Sequence, residues 1–458
     1  MYLFRTFALD IMNTDHSILH GARLRTMTLG CKLNYAETAA LCDKFIAHGA
    51  YLAEQEETAT LCIINTCSVT DTADHKCRQA IHRLVRANPE AFVVVMGCYA
   101  QLKPAEVSAI EGVGLVLGTE QKASAYELIS EAWENHLRAK DTAKKDTHTS
   151  PLGQIRSFAP SCSRGNRTRY FLKVQDGCDY FCTYCTIPFA RGRSRSASIA
   201  EILAQAEDVV AKGGKEIVLT GVNTGDFGRG TSEKFLQLIQ ALDTVEGITR
   251  YRISSIEPNL LTQEIIDFCA QSRAFMPHFH IPLQSGSDEV LRLMKRKYDT
   301  AFFAEKIAAV HRAIPDAFVG IDVIVGMRGE TEERFEETYR FLQALRFAQL
   351  HVFSYSERAG TKALEIPHIV SPQEKHRRSQ ALIKLSNEKL NLFYKHYANT
   401  CRAVLWEQGS HPDQPQQGFT DNYIRVELTP KQLRRDNNEL RVERLGQPLP
   451  SGHLGIID

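Results

Sequence analysis

Cys178, Cys182 and Cys185 stand at i, i+4 and i+7 within one loop-sized piece of chain, Gly177-Cys178-Asp179-Tyr180-Phe181-Cys182-Thr183-Tyr184-Cys185. This spacing offers three thiolates to one metal centre and no fourth. A structural zinc site closes a tetrahedron with four ligands. A [4Fe–4S] cluster held by three cysteines instead keeps one iron open to an outside ligand. A partial zinc knuckle is the plainer alternative. The loop follows Tyr170-Phe171-Leu172-Lys173-Val174-Gln175, an apolar run of strand character, so a strand end must carry the trio.

A second trio is scattered along the chain. Patterning begins at Leu24-Arg25-Thr26-Met27-Thr28-Leu29-Gly30-Cys31 and continues in an amphipathic helix over about 36–48, closed by Gly49. Next come an apolar run over 60–67, a helical stretch over 73–87 that stops before Pro89, a run over 91–96 leading into Gly97-Cys98, and a short strand at 113–117. This βαβ alternation predicts a parallel sheet. Cys31, Cys67 and Cys98 each fall one to three residues past the C-terminal end of an expected strand. Parallel strands put those ends on one edge, where open α/β sheets gather ligands. Three ligands again leave a position vacant, and the reading is a second [4Fe–4S] cluster. Cys42, Cys62, Cys77 and Cys269 lie inside helices or a strand and read as packing residues.

Length and composition frame these sites. The chain has 458 residues, 43% hydrophobic and 24% charged, as in a folded protein of several domains. Lysine plus arginine (55) balance aspartate plus glutamate (54), so a nucleic-acid partner must be met by local basic patches. Twelve cysteines are too dilute for a disulfide scaffold and fit a reducing cytoplasm. Arg5 and Asp10 interrupt any secretory signal, and the longest apolar runs are too short to span a bilayer, so no membrane partner is expected. Residues 1–23 read as a loose leader, with Met12 as an alternative start. A stretch over 136–163, rich in Lys, Asp, Thr, Ser and Pro, reads as a linker with Cys162 an exposed thiol in its tail.

Six strand-and-helix units are expected beyond it, with strands at 170–175, 216–220, 250–255, 278–283, 317–325 and 350–355. Six units suit a partial parallel barrel better than a closed eight-stranded one, with functional residues at the C-terminal strand ends. Polar groups gather there: Asn223, Ser255, Glu257, Gln284, and Gly326 beside them. No remaining histidine has metal-ligand company in the sequence. After residue 400 the period changes to two, with short strands at 402–407, 422–428, 439–444 and 454–457, which predicts a small OB-like β-barrel. Lys431, Arg434, Arg435, Arg441 and Arg444, with the Tyr423 ring, could meet a single-stranded RNA loop. Two arginine clusters bracket the cysteine loop, Arg164/Arg167/Arg169 and Arg191/Arg193/Arg195, and are candidates for phosphate contact.

The cysteine loop resembles that of the radical S-adenosylmethionine superfamily. Thr28-Leu29-Gly30-Cys31-Lys32-Leu33-Asn34 and Asn65-Thr66-Cys67-Ser68-Val69-Thr70, with Gly97-Cys98, resemble the N-terminal domain of radical methylthiotransferases. The resemblance spans nearly the whole chain after about residue 24. It implies an α/β fold in three parts: a parallel βαβ methylthiotransferase domain (24–135), a radical-SAM partial (β/α)6 barrel (164–396) and a C-terminal TRAM barrel that binds RNA (397–458). Cys178, Cys182 and Cys185 would then hold the cluster that cleaves S-adenosylmethionine. Cys31, Cys67 and Cys98 would hold an auxiliary cluster whose open iron carries the sulfur to be inserted. Asn223, Ser255, Glu257, Gln284 and Gly326 would meet the cofactor, and Arg191, Arg193, Arg195, Arg434, Arg435 and Arg441 the RNA.

Arg191-Gly192-Arg193-Ser194-Arg195-Ser196 and Cys31-Lys32-Leu33-Asn34 resemble the branch acting on threonylcarbamoyl-adenosine in tRNA. One departure is Met327-Arg328, where the family shows Phe-Pro before Gly-Glu. The implied partners are a tRNA anticodon stem-loop, an electron donor such as flavodoxin or ferredoxin, and a sulfur donor. The alternatives are a methylthiotransferase for isopentenyl-adenosine tRNA, one for a ribosomal-protein aspartate, and a non-catalytic zinc-dependent RNA-binding protein.

Overall fold

The computed structural model describes residues 19–138, 145–163, 168–407, 414–429, 432 and 435–457. Most of the expected leader, together with Arg164, Arg167, Lys431 and Arg434, lies outside the described residues.

The first layer is a six-stranded parallel sheet ordered β2-β1-β3-β4-β5-β6: β1 Arg23–Thr28, β2 Tyr51–Leu52, β3 Leu61–Thr66, β4 Phe92–Gly97, β5 Val113–Leu117 and β6 Asp146–His148. Every residue of β3 and β4 is buried, as central parallel strands covered on both faces require. Helix α1 (Lys32–Ala47) packs on one face and α2 (Asp71–Ala87) on the other. Thr70 caps α2 by accepting the Ala73 N–H at 3.1 Å, and Asp71 and Asp74 favour its N-terminus. Cys42, Cys62 and Cys77 are buried in this layer, where burial pushes their thiols up to about 11, 12 and 11.

The expected linker is largely ordered. It supplies β6 to the first sheet and β7 (Ser161–Cys162) as an antiparallel edge on β8 (Arg169–Lys173). Cys162 is 5% exposed and belongs to the central core, which corrects its reading as an exposed thiol. Its neighbours are polar and patternless in sequence because edge strands of two or three residues carry too little period to detect.

Two short strands, β9 (Gln175–Asp176) and β10 (Arg195–Ser196), pair antiparallel and clamp the base of the cysteine loop between them. Strands β11 (Glu216–Thr220), β12 (Arg250–Ile253), β13 (His278–Gln284), β14 (Phe318–Val325) and β15 (Gln349–Ser354) then run parallel to β8. Backbone bonds from Met276 to Tyr251 (2.9 Å) and from Ile256 to His280 (3.1 Å) join β12 to β13. The order is thus β8-β11-β12-β13-β14-β15, a half barrel open on one side. All six strands stand where the sequence reading put them. The long helix Pro372–Tyr397 packs on β15 and leads to a closed barrel of β16 (Cys401–Trp406), β17 (Gln417–Thr420), β18 (Arg425–Glu427), β19 (Leu440–Pro448) and β20 (Leu454–Ile457). Strand β17 was not foreseen: Gln417-Gly418 reads as loop composition, but Val404 and Leu405 press against Gly418 too closely for any side chain. Among the described residues no helix is long and apolar enough to cross a membrane.

The first sheet is fixed to the half barrel by a buried charge network. Glu37 of α1 pairs with Lys122, with Lys173 at 2.8 Å and with Arg191 at 3.2 Å. Asp176 pairs with Lys173 at 2.8 Å and Arg191 at 2.9 Å. All five side chains are almost fully buried. Burial alone would raise the Glu37 carboxyl, but Arg191, Lys122 and Lys173 outweigh it and hold it well below the usual carboxylate range. Because the folded form binds fewer protons here, the stability it adds is present above about pH 4.3 and is lost as pH falls below that. Glu37→Gln leaves three buried cations facing one carboxylate. We expect it to cost about 3 kcal/mol in chemical denaturation and to flatten the loss of stability on acidification. A variant as stable and as acid-sensitive as the wild type would contradict this account of the interface.

Candidate active site

The three cysteines of the loop converge on a cavity of about 350 Å³ at the C-terminal ends of the barrel strands. Each sulfur has one hydrogen-bond donor: the Tyr180 N–H at 3.5 Å for Cys178, Arg296 Nη1 at 3.2 Å for Cys182 and the Ile187 N–H at 3.4 Å for Cys185. Hydrogen bonds to ligating sulfur are how proteins tune iron–sulfur clusters, so the donor set fits one. Burial pushes the Cys178 thiol up to about 12 and raises Cys182 and Cys185 as well. The thiols are therefore neutral at pH 7, and a metal has to displace their protons on binding.

Asn223, Ser255, Glu257 and Gln284 line the same cavity. Asn223 is buried; its Oδ1 accepts the Glu257 N–H at 3.3 Å while its Nδ2 has no partner, a donor held ready for a ligand. Glu257 pairs with Arg296, so Arg296 ties the cavity's carboxylate to a cysteine sulfur. Gln284 reaches the rim through a left-handed turn, φ 72°, beside a bulge in β13. Gly326 does not line the cavity: its N–H donates to Glu330 at 2.8 Å and Lys375 packs over its Cα, which corrects its assignment to the cofactor. In the departing Met327-Arg328 pair, Met327 is buried against Val290, Met294 and Tyr355. Arg328 turns out to Glu357 and the Leu364 carbonyl, both at 2.6 Å. The substitution therefore rebuilds the outer side of this turn and adds nothing to the cavity.

The second trio is assembled by register. Thr66 of β3 pairs with Gly97 of β4, so the next residues, Cys67 and Cys98, leave neighbouring strand ends together. Thr28 of β1 pairs with Asn65, and the chain then turns at Gly30, φ 106°, where a Cβ would stand 2.6 Å from Cys67 Cβ and 2.9 Å from its sulfur. Only glycine allows that approach, and it brings Cys31 to its two partners. Cys31 precedes α1 without capping it by side chain, so the free N–H groups of a 16-residue helix begin at this cysteine. Burial pushes Cys67 up to about 12, with Cys98 and Cys31 adding to the effect. Val69 and Thr70, just past Cys67, line the cavity of the first trio. Arg358 fixes that juncture through Ser68 (2.8 Å), Asp74 (2.9 Å) and Asp71 (2.7 Å). The segment that follows Cys67 thus forms part of the wall of the first trio's cavity.

A larger cavity of about 880 Å³ continues down the open side of the half barrel and shares Asp322 and Phe353 with the first. Here the structure groups what the sequence scattered: donor atoms of His280, Asp322 and His351 lie within 4.8 Å of one another. This corrects the expectation that no histidine has such company. Their signal was a period-two placement on three neighbouring strands, invisible without the register. Burial would raise the Tyr423 hydroxyl, but Arg169, Lys32 and Arg252 hold it below the ordinary tyrosine range.

The arginines divide. Arg191 is 1% exposed and locked in the interface network, and Arg195 bonds Asp176 and three backbone carbonyls. Both are thereby removed from RNA contact, a correction with a clear cause: their charges are spent on buried carboxylates. Arg193 is 67% exposed beside Asp179. On the C-terminal barrel Arg435 pairs with Glu443 at 3.0 Å, while Arg441 and Arg444 are exposed.

Residues 172–342 match the radical SAM superfamily, and residues 23–118 match the uncharacterized protein family UPF0004. The fold is similar to the radical S-adenosylmethionine methyltransferase TsrM from Kitasatospora setae, with TM-score 0.52 and 15% identity over 73% of this chain and 72% of that one. The chain is a radical S-adenosylmethionine protein. It is 40% identical to the threonylcarbamoyladenosine tRNA methylthiotransferase MtaB of Bacillus subtilis (strain 168), over 87% of this chain and 88% of the relative. It is 35% identical to the protein of that name from Aquifex aeolicus (strain VF5), over 87% and 95%. It is 31% identical to the tRNA-2-methylthio-N(6)-dimethylallyladenosine synthase of Carboxydothermus hydrogenoformans (strain ATCC BAA-161 / DSM 6008 / Z-2901), over 85% and 88%. It belongs to the radical-SAM tRNA methylthiotransferase family, whose members use S-adenosylmethionine and [4Fe–4S] clusters.

Two cubane clusters correspond to about eight iron atoms per chain. Cys98→Ala should bring anaerobically reconstituted protein to about four, read by iron and acid-labile sulfide analysis, with S-adenosylmethionine still cleaved. Retention of all the iron, or its total loss, would contradict two independent trios.

Proposed function

We propose that this chain adds a methylthio group to C2 of N6-threonylcarbamoyladenosine at position 37, beside the anticodon of tRNA. The observation that carries the reading is the pair of cysteine trios, joined by the Val69-Thr70 segment that lines the first trio's cavity, in a chain 40% identical to a threonylcarbamoyladenosine tRNA methylthiotransferase. Cys178, Cys182 and Cys185 hold the cluster that binds S-adenosylmethionine, and Cys31, Cys67 and Cys98 hold the second. When bound, the cofactor and clusters supply radical hydrogen abstraction from an unactivated carbon and a sulfur to replace the hydrogen.

The chain's own residues orient and shield. Asn223 offers its unpartnered Nδ2 to the cofactor, and Ser255, Glu257 and Gln284 complete its polar wall. Arg296 holds positive charge at the Cys182 sulfur, and a donor there favours added negative charge on a ligated centre. The C-terminal barrel acts as a TRAM-type RNA-binding module, with Arg441, Arg444 and, on the central domain, Arg193 as exposed cations for phosphate. Flavodoxin or ferredoxin supplies electrons, a separate donor renews the sulfur, and the reaction takes place in the cytoplasm, where twelve cysteines outside any disulfide are at home.

Anaerobic incubation with S-adenosylmethionine, a reductant and tRNA carrying threonylcarbamoyladenosine should add the mass of one methylthio group to that nucleoside. Action on dimethylallyladenosine tRNA in its place would move the chain to the other branch. Cys67→Ala should still form 5′-deoxyadenosine and transfer no sulfur; parallel loss of both activities would refute the division of labour between the trios.

A further inference from the structure

The inward faces of β13, β14 and β15 alternate in step: His278 and His280, then Phe318, Gly320 and Asp322, then Gln349, His351 and Phe353 all line the larger cavity. The next inward residues up the same rows, Pro282, Gln284 and Ile324, line the cysteine cavity. The two spaces are therefore storeys of one barrel lumen, meeting at Asp322 and Phe353. Gly320 leaves the lower storey open, since a Cβ there would come no nearer than 3.6 Å to any atom, the nearest being His351 Nε2. At about 880 Å³ it has the size of a ligand site.

Charge in this lower storey is unbalanced. The carboxylate of Asp322 is engaged by His280 at 2.6 Å, and His453 by Glu427 at 2.9 Å. Arg252 is matched by Glu216 at 2.8 Å and Arg169 by Glu407 at 2.9 Å. Lys32 and Arg425 also line the cavity, and no carboxylate among the described residues pairs with either. Lys32 is the first residue of α1, so its ammonium adds to the positive end of that helix. Its side chain is exposed at the cavity wall, with the Phe171 ring 5.9 Å away. Two cations without a carboxylate partner on the wall of a ligand-sized cavity favour an anion there.

The substrate named above has such an anion. In adenine, C2 and the N6 substituent flank the same ring nitrogen. A base with C2 at the cysteine cavity therefore carries its N6 tail into the adjoining storey, and a threonylcarbamoyl tail ends in a carboxylate. We propose that the lower storey of the lumen is the pocket for the threonyl tail, with Lys32, seconded by Arg425, binding its carboxylate. This inference rests on the threonylcarbamoyladenosine reading and assigns the residues that separate it from bases with a neutral, apolar tail.

The test compares an anticodon stem-loop carrying N6-threonylcarbamoyladenosine with the same stem-loop in which the threonyl carboxylate is a methyl ester. For the wild-type enzyme the ester should raise KM about 30-fold, the scale of one charge-assisted hydrogen bond. Lys32→Met should raise KM for the acid by a similar factor and abolish the preference for acid over ester, and Lys32→Arg should restore most of it. Equal weakening of acid and ester by Lys32→Met would assign Lys32 to an RNA phosphate and overturn the proposal, as would a wild-type enzyme indifferent to esterification. The latter comparison needs no variant and holds even if a change beside Cys31 disturbs the cluster. Wild-type enzyme inactive on the acid would overturn the substrate reading and this pocket with it, whereas turnover without discrimination overturns the pocket alone.

Discussion

The relative position of the two cysteine trios depends on five buried charges. Glu37 lies six residues beyond Cys31, Lys122 follows β5, Lys173 and Asp176 end the strand before the cysteine loop, and Arg191 begins its return. Removing these groups from water is costly, and they satisfy one another only in one arrangement. Asn34 joins them, donating to the Leu29 and Thr66 carbonyls at 2.9 Å while receiving Arg191. The turn that presents Cys31, the strand end that presents Cys67 and the return of the cysteine loop are thus registered by one lattice of hydrogen bonds and charges.

Much of this was legible in the sequence for a simple reason: metal-ligand spacing and strand ends are local signals. The Cys178 loop needs only nine residues to declare itself, and Cys31, Cys67 and Cys98 follow strands apolar enough to be found one by one. The six barrel strands, with buried runs such as that of β11, stood out equally. What escaped notice was long-range. Arg191 looked like a phosphate ligand because its carboxylate partners are 15 and 154 residues away. His280, Asp322 and His351 come together only through the pairing of β13, β14 and β15. Cys162 and β17 belong to segments whose composition is that of loops and whose order is imposed by a neighbour.

The Met327-Arg328 pair shows how a local departure is absorbed. A glycine-rich turn at a strand end has two sides, and Met327 fills the inner one with apolar volume while Arg328 staples the outer one to Glu357. Asn223, Ser255, Glu257 and Gln284, which line the cysteine cavity, stand at the ends of other strands, so the turn can vary without moving them.

The interface network has a further consequence for how substrate arrives. Parting the first sheet from the half barrel would break the pairs that Glu37 makes with Lys173 and Arg191 and the bond from Arg191 to Asn34. These directional bonds favour one fixed arrangement of the two halves over a cycle in which they part at every turnover. A tRNA base would then come to the protein, swung out of its stack into a socket the folded chain already holds.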